Sequence, residues 1–239
     1  MANKLILAYQ TMWKYLTFFR YRNGIKVLER EWNNLIILDS CRYDIFERMN
    51  TIKGKLTKEI SRGSNTLEWI RGNFRGLKKT DIDYISASPY ISEEVLAKEI
   101  GHNPFNIIDV WNWGWDDSLK VVHPQTMVDA VKSYYKGNRT VIHFLQPHQP
   151  FLNGGIIEMS KEEIIKAYER NLEFVLKYVK DLVPILKGKT VIIGDHGECY
   201  GEYFLFKHPS VRIKVLREVP WLEVDGMDKE NKGVDLDGQ

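Results

Sequence analysis

Residues 191–198 read VIIGDHGE, a β-branched run that leads directly into an acid, an imidazole and a glycine. A short Val and Ile run bounded by glycines is typical of a strand buried on both faces of a parallel sheet. Ligands of open α/β sheets bind beyond the carboxyl ends of the strands, where Asp195 and His196 would lie. The stretch therefore predicts such a sheet with a polar site at its edge, although Asp and Gly are also common in simple turns.

Two further strand patterns end in groups of the same kind. Residues 34–39 read NLIILD and end at Asp39, and residues 140–147 read TVIHFLQP and are followed by His148. Neighbouring strand ends can converge, and carboxylates with a neutral imidazole are suitable ligands for a divalent cation. Asp39 has an alternative role, because Asp commonly caps a helix such as the one predicted over 41–50. The three strand ends together favour metal binding.

Apolar strand patterns alternate with helical patterns along the whole chain. Strands are predicted at 34–39, 84–87, 140–146 and 190–195, helices at 41–50, 92–100, 124–136 and 160–186, and loops at 56–76, entering a helix near Thr66, and at 103–118. This alternation is typical of an α/β domain with a largely parallel central sheet flanked by helices. His143 alternates with apolar neighbours in its strand, which favours a core residue over a ligand.

Composition excludes several classes of protein. The chain has 239 residues, 44% of them hydrophobic and 28% charged, so it is long enough to bury a sizeable core. A formal net charge of +2 gives no basis for a nucleic-acid partner. Cys41 and Cys199 are the two cysteines, which is no disulfide framework and is compatible with a reducing compartment. We therefore expect a cytoplasmic protein.

The N-terminal segment is rich in aliphatic and aromatic residues. Residues 5–22 carry interspersed basic side chains, and Lys14 interrupts an apolar run that is too short for a transmembrane helix. The segment either packs on the domain as an extra helix or lies on a membrane surface as a peripheral contact. We expect a helical extension over 1–30, an α/β domain over 31–224 and a flexible polar tail over 225–239.

The order of motifs along the chain resembles the alkaline phosphatase/sulfatase superfamily, and most closely its short prokaryotic sulfatase-like hydrolases. The motifs are NLIILDSCRYD, GSNTLEW, HFLQPHQPF, VIIGDHGECYGE and KHPSVRIKVLREVPWLEV, and they span about residues 33–224. The resemblance implies an alkaline phosphatase-like α/β fold.

The resemblance also implies roles for particular residues. One divalent ion (Mn, Zn, Mg or Ca) would be bound by Asp39, Thr66, Asp195 and His196. Thr66 would also be the nucleophile, and His148 would contact the transferred group or the leaving oxygen. His208 or Lys207 would lie near the substrate anion, and Ser64 is either a further substrate contact or a rival nucleophile. Thr66 could instead be only the cap of a helix that begins at Leu67.

Departures from the superfamily pattern narrow the chemistry. No Cys or Ser stands in a formylglycine setting, which favours phosphate esters over sulfate esters, and no clear Asp-x-x-x-His segment supports a second metal ion. A metal-bound threonine hydroxyl can act as a nucleophile. The sequence therefore predicts a hydrolase or transferase of small, lipid-linked or sugar-linked phosphate esters that works through a covalent threonine intermediate. The alternatives are a sulfuric ester hydrolase without formylglycine and an inactive binding relative.

Overall fold

A computed structural model describes residues 2–151 and 160–224. Its strands are β1 (Asn34–Asp39), β2 (Gly54–Ile60), β3 (Asp83–Ser86), β4 (Asn106–Asp109), β5 (Trp115–Asp116), β6 (Val121–Val122), β7 (Thr140–Pro147), β8 (Thr190–Gly194), β9 (Cys199–Tyr200), β10 (Phe206–Lys207) and β11 (Glu218–Val224). Its helices are α1 (Ala2–Leu16), α2 (Tyr43–Met49), α3 (Thr66–Phe74), α4 (Glu93–Ile100), α5 (Val110–Trp113), α6 (Pro124–Tyr134), α7 (Lys161–Leu182) and α8 (Lys214–Arg217). The expected tail over 225–239 lies outside the described residues.

Seven strands form one mixed sheet in the order β2–β11–β8–β1–β7–β3–β4. The strands β8, β1, β7, β3 and β4 run parallel to one another, and β11 lies antiparallel to both β8 and β2. The predicted largely parallel α/β sheet is confirmed. Because β1 lies between β7 and β8, the three strand ends that carry the predicted site residues are neighbours.

Two predicted loops contain strands of this sheet. The prediction of a loop over 56–76 was wrong for β2, and that over 103–118 was wrong for β4. β2 is an edge strand with mostly exposed or half-buried residues, so its sequence lacks the apolar run of a central strand. β11 contains Pro220, which pairs with β2 but lies outside the residues that pair with β8. Its missing amide is therefore not needed on that side.

Alternate residues of β1 face the two helical layers, as the period of a strand requires. Ile36 and Leu38 belong to the core under α6 and α7, where Val175 and Val179 of α7 are fully buried. On the opposite face, Leu35 and Ile37 pack with a cluster from α3 and α4 that includes Trp69, Phe74 and Leu96. The central strands of the sheet are thus covered on both faces.

The N-terminal helix packs one face on the domain and leaves the other exposed. Tyr9 and Trp13 of α1 pack against the small core of Cys199, Leu205 and Leu216, and the Tyr9 hydroxyl donates to the Tyr203 carbonyl at 2.8 Å. In residues 2–151 and 160–224, no helix has both the length and the apolarity that crossing a bilayer requires.

Candidate metal and catalytic site

The carboxyl edge of the sheet brings four predicted metal-binding residues together. The Thr66 hydroxyl lies 3.1 Å from Asp195 Oδ2 and 3.2 Å from His196 Nε2. The same imidazole nitrogen lies 3.3 Å from Asp195 Oδ2 and 3.6 Å from Asp39 Oδ1. All four side chains are buried, although they come from β1, α3 and the turn after β8. The convergence of Asp39 with Asp195 and His196 is what their strand ends predicted, whereas Thr66 was implied by the resemblance. The roles of all four stay predictions.

Hydrogen bonding fixes the way in which His196 faces this cluster. Its Nδ1 lies 2.8 Å from the Gly197 carbonyl, an acceptor only, so Nδ1 carries the proton. The lone pair of a neutral His196 is then on Nε2, which faces Asp39 and Asp195. Two carboxylates and an imidazole lone pair directed at one place repel one another unless a cation or a proton lies between them. This donor set fits a divalent metal ion.

The electrostatics of the buried groups agree with that fit. Burial raises the pKa of Asp39 well above its ordinary value, and the charge of Asp195 raises it further. Burial also raises the pKa of Asp195, against the opposing effect of His143, and lowers the pKa of His196 well below its ordinary value. Without a cation the pocket therefore favours uncharged side chains, and a divalent ion would stabilise both carboxylates.

Backbone donors orient the Asp195 carboxylate. Its Oδ1 accepts the N–H groups of Ser40 at 3.0 Å and His196 at 2.8 Å, which leaves Oδ2 to face Thr66. Ser40 has a left-handed backbone with φ 60°, and its carbonyl accepts the Tyr168 hydroxyl at 2.8 Å. The turn after β1 is thus fixed by α7, which supplies Tyr168.

The alternative roles as helix caps do not match the structure. The residue that caps α2 is Arg42, and the Asp39 carboxylate instead accepts the Ser40 hydroxyl at 3.1 Å. The cap of α3 is Asn65, whose side chain accepts the Glu68 N–H at 3.0 Å. Thr66 is therefore the first residue of α3, and its hydroxyl points to the acidic cluster.

Ser64, the rival nucleophile, points elsewhere. Its buried hydroxyl donates to the Val211 carbonyl at 2.6 Å, so its hydrogen bond ties the loop before α3 to the segment before α8. The predicted Ser64 contact with substrate has no geometric support, and the hydroxyl next to the acids and His196 is that of Thr66. A helix N-terminus also directs free N–H groups at an anion, which favours position 66 for a phosphoryl group.

A second group of titratable residues borders the first. Glu198 Oε2 lies 3.3 Å from His208 Nδ1, and the ring centroid of His208 lies 5.1 Å from that of His148 and 4.9 Å from that of His196. Burial acts to lower the pKa of His208, but the hydrogen bond and charge of Glu198 outweigh it and raise the pKa above its ordinary value. Lys207, in β10, is exposed. Between the two predicted substrate contacts, His208 is the one that approaches the cluster.

Two buried residues play a larger part than their sequence context indicated. Glu198 is 1% exposed, and ligand atoms of His148, Glu198 and His208 lie within 4.8 Å of one another. His143 lies within the same distance of Asp39 and Asp195.

His143 is therefore a neighbour of the candidate metal ligands as well as a core residue. The Tyr84 hydroxyl lies 3.0 Å from its Nδ1, and its buried Nε2 has no hydrogen-bond partner among residues 2–151 and 160–224. Burial lowers the pKa of His143 to about 4, so the ring is neutral near pH 7. No sequence signal distinguishes this histidine from an ordinary core residue, because its position depends on β3 and β8.

Arg42 closes the cluster from the side of α2. It is buried, pairs with Asp44 at 2.7 Å and Glu202 at 2.8 Å, and donates to the Glu198 carbonyl at 3.1 Å. The structure places the guanidinium where it fixes the backbone of Glu198 beside the two groups of histidines and acids.

Comparisons with known proteins identify the fold. No protein-family model matches the chain, and no curated protein sequence matches it either. The soluble domain of lipooligosaccharide phosphoethanolamine transferase A from Neisseria meningitidis matches with a TM-score of 0.61 at 10% identity, over 80% of this chain and 75% of that one. The periplasmic domain of phosphoethanolamine transferase EptC from Campylobacter jejuni matches with a TM-score of 0.55 at 10% identity, over 79% and 77%.

A third similar structure is the lipoteichoic acid synthase LtaP from Listeria monocytogenes, with a TM-score of 0.51 at 12% identity, over 84% of this chain and 66% of that one. At identities of 10–12%, these structural matches show the fold of the chain. With its mixed, mostly parallel sheet flanked by helices, the chain has the alkaline phosphatase/sulfatase-like α/β fold that its motifs predicted.

Proposed function

We propose that the protein is a metal-dependent enzyme that transfers or hydrolyses phosphate esters through a covalent intermediate on Thr66. The observation that carries this proposal is the position of the Thr66 hydroxyl, at the first residue of α3 and 3.1–3.2 Å from Asp195 and His196. A nucleophile, two carboxylates and an imidazole lone pair at a helix N-terminus are the parts that such a reaction requires.

Asp39, Asp195 and His196 would hold one divalent ion, with Thr66 as the fourth ligand. When bound, such an ion lowers the pKa of a coordinated hydroxyl and neutralises charge on a phosphoryl oxygen. Metal analysis after loading with Mn, Zn, Mg or Ca would identify the ion. The nucleophilic attack and the proton transfer to the leaving oxygen are carried out by side chains of the protein.

In the first step the Thr66 hydroxyl loses its proton to solvent, its oxygen attacks phosphorus, and the bond to the leaving oxygen breaks. The N-terminal N–H groups of α3 orient the phosphoryl oxygens. His208, whose pKa is raised by Glu198, and His148 lie next to each other beside the cluster, and we assign to them the transfer of a proton to the leaving oxygen. In the second step water or an acceptor alcohol attacks phosphorus, the bond to Thr66 breaks, and the Thr66 hydroxyl is restored.

The proposed substrate is a phosphate ester with a lipid or sugar arm. Two observations support this class: the matched enzymes are named as transferases or synthases of lipooligosaccharide phosphoethanolamine and lipoteichoic acid, and α1 exposes an apolar face beside the domain. A sulfate ester is the second candidate, because a 2-O glycosaminoglycan sulfatase matches with a TM-score of 0.50. The missing formylglycine motif disfavours it.

We also propose the organisation predicted from the sequence, with a helical extension over 1–30 and the catalytic unit over 31–224. Of the two alternatives for residues 5–22, we propose the peripheral membrane contact. Cys41 and Cys199 are both free and buried. Free thiols are compatible with a cytoplasmic location, which fractionation of the native protein into cytosol and membrane would test.

The nucleophile is tested by Thr66→Ala. We expect turnover of bis(nitrophenyl) phosphate or nitrophenyl phosphate to fall by at least about a thousandfold, because covalent catalysis is lost. Bound metal, measured by mass spectrometry after loading with each of the four ions, should stay close to the wild-type content because three ligands remain.

Ser64→Ala is the matched control, since it removes a neighbouring hydroxyl that donates to Val211. Turnover should persist in this variant. Loss of turnover in Ser64→Ala but not in Thr66→Ala would assign the nucleophile to Ser64. Wild-type protein that binds metal and hydrolyses none of the phosphate or sulfate esters would instead be an inactive binding relative.

A further inference from the structure

A cavity of about 290 Å³ lies between α1 and α3, and none of the candidate metal ligands lines it. Its charged lining residues are Lys14, Arg62, Glu68, Arg71, Arg212 and Arg217. Five cationic side chains thus face one carboxylate. Such a surplus of like charge in a partly enclosed space destabilises the fold unless an anion binds there.

Among residues 2–151 and 160–224, ion pairs neutralise only part of this positive charge. Arg71 pairs with Glu99 at 2.5 Å, and the Glu68 carboxylate accepts the Ser64 N–H at 3.0 Å. Within residues 2–151 and 160–224, the other four cations of the cavity form no ion pair. The cavity therefore retains a net positive charge.

Arg217 shows the cost of this arrangement. It is 2% exposed, and its guanidinium donates to the carbonyls of Ser61 and Tyr21, both at 2.8 Å, which are uncharged acceptors. Burial lowers its pKa to about 10, and the charges of Arg212 and Arg62 add to that effect against the opposing charge of Glu68. Two of its neighbours in the cavity thus repel a guanidinium that no carboxylate pairs with in the described part of the chain.

Arg62 has unused donor capacity at the same place. Its Nη1 donates to the Gly24 carbonyl at 3.1 Å, but its buried Nε has no partner among residues 2–151 and 160–224. A buried N–H of an arginine without an acceptor is costly, and a phosphate oxygen is the acceptor that the guanidinium fork matches best.

We propose that this cavity is a second anion site, which binds a terminal phosphate group and is distinct from the candidate catalytic site. Lys14 belongs to α1, Arg71 belongs to α3, and Arg62 and Arg217 lie in the segments before α3 and at the end of α8. A phosphate bound here holds α1 against the helix that begins at Thr66. The group is either free phosphate or the headgroup of a lipid such as phosphatidic acid.

The test is calorimetric titration of the full-length protein with inorganic phosphate at constant ionic strength. In the variant Lys14→Gln/Arg212→Gln we expect phosphate to bind at least about tenfold more weakly than in the wild type. The control Lys55→Gln/Lys78→Gln removes two exposed positive charges outside the cavity and should bind like the wild type. Equal affinity in all three proteins would overturn the proposal.

Two further arms separate the sites and the sources of phosphate. If chelation of metal abolishes phosphate binding and the cavity variant binds phosphate normally, the phosphate binds at the catalytic site, and the cavity proposal is overturned. If phosphate still binds in the presence of chelator and the cavity variant loses that binding, the cavity proposal is supported, even if no esterase activity is found. Vesicles of phosphatidylcholine with phosphatidic acid are then compared with vesicles containing phosphatidylglycerol, a diester. If the wild type prefers phosphatidic acid vesicles and the cavity variant loses this preference, the ligand of the cavity is a lipid headgroup. If the wild type shows no such preference but its phosphate binding depends on the cavity, the ligand is free phosphate.

Discussion

The orientation of the His196 imidazole determines which lone pair faces the candidate metal site. Its Nδ1 is held by the Gly197 carbonyl, so its Nε2 lone pair, the Asp39 and Asp195 carboxylates and the Thr66 hydroxyl share one small space. Any proton in this cluster competes with a cation for the same lone pairs. Metal retention should therefore decrease as the pH falls and the carboxylates, whose pKa values burial has raised, become protonated.

Glu198 sets the protonation of His208, which can be tested directly. Because the folded-state pKa of His208 is raised, its protonated form stabilises the fold fully below the unfolded value of 6.5, and this contribution is lost as the pH rises through the folded pKa. In Glu198→Gln the pKa of His208 should fall, since the hydrogen bond to a carboxylate is removed and burial alone lowers it. NMR titration of the imidazole C–H signals at fixed metal content measures the shift.

The exposed His102, which lies outside the cluster, provides an internal reference signal in the same spectra. The variant should also lose the stability advantage at low pH that the raised pKa of His208 gives the wild type. A His208 pKa in Glu198→Gln equal to that of the wild type would mean that Glu198 is not the group that keeps the imidazole protonated.

At the scale of elements, continuous apolar runs made the central sheet predictable. β1, β7 and β8 are fully buried, so their sequences show the apolar pattern of buried strands. Asp39, Asp195 and His196 were predicted as site residues because they end or follow two of these strands. The edge strand β2 carries no such run, because exposed positions accept lysines. Glu198 was not predicted as a buried residue, because its burial depends on Arg42 and the β9–β10 hairpin, which meet only in the folded chain.

Glycine is required at position 197 because of close packing between two elements, and not only because the sequence indicated a turn there. Its N–H donates to the Leu216 carbonyl at 3.0 Å, and a Cβ at this position would lie 1.9 Å from the Val215 carbonyl oxygen. The turn after β8 and the helix α8 are therefore in backbone contact. We expect Gly197→Ala to destabilise the fold by about 1–3 kcal/mol, since either the turn or α8 must move.

Urea unfolding measures the loss, and metal content after dialysis shows whether His196 has shifted. Gly76→Ala is the control, because Gly76 has a φ of +78° but no atom within 4 Å of the added Cβ. It should cost stability through backbone strain and retain metal. Equal metal retention in the two variants would show that the contact with α8 does not position His196.

At the scale of the whole molecule, α1 and the β9–β10 hairpin form one exposed apolar surface. Leu5 and Ile6 of α1 and Phe204 and Phe206 of the hairpin line a shared apolar cavity of about 670 Å³, and Phe204 is 87% exposed. A patch of this kind on a folded domain marks an interaction surface. His208 lies two residues after Phe206, so a substrate held in a bilayer at this surface would be close to the candidate site.

Membrane contact through this surface is expected to depend on its apolar side chains. Replacing exposed Leu5 and Phe204 by Ser should reduce co-sedimentation with phosphatidylglycerol vesicles by at least about tenfold, because burying either side chain in lipid contributes about 1.5–3 kcal/mol. Tyr134→Ser/Ile185→Ser, which removes two exposed apolar residues elsewhere, should bind like the wild type. If both double variants bound vesicles equally well, the surface would not be the membrane contact. If the first lost binding while hydrolysing soluble nitrophenyl esters normally, the contact would serve to reach a lipid-linked substrate and would play no part in the chemical step.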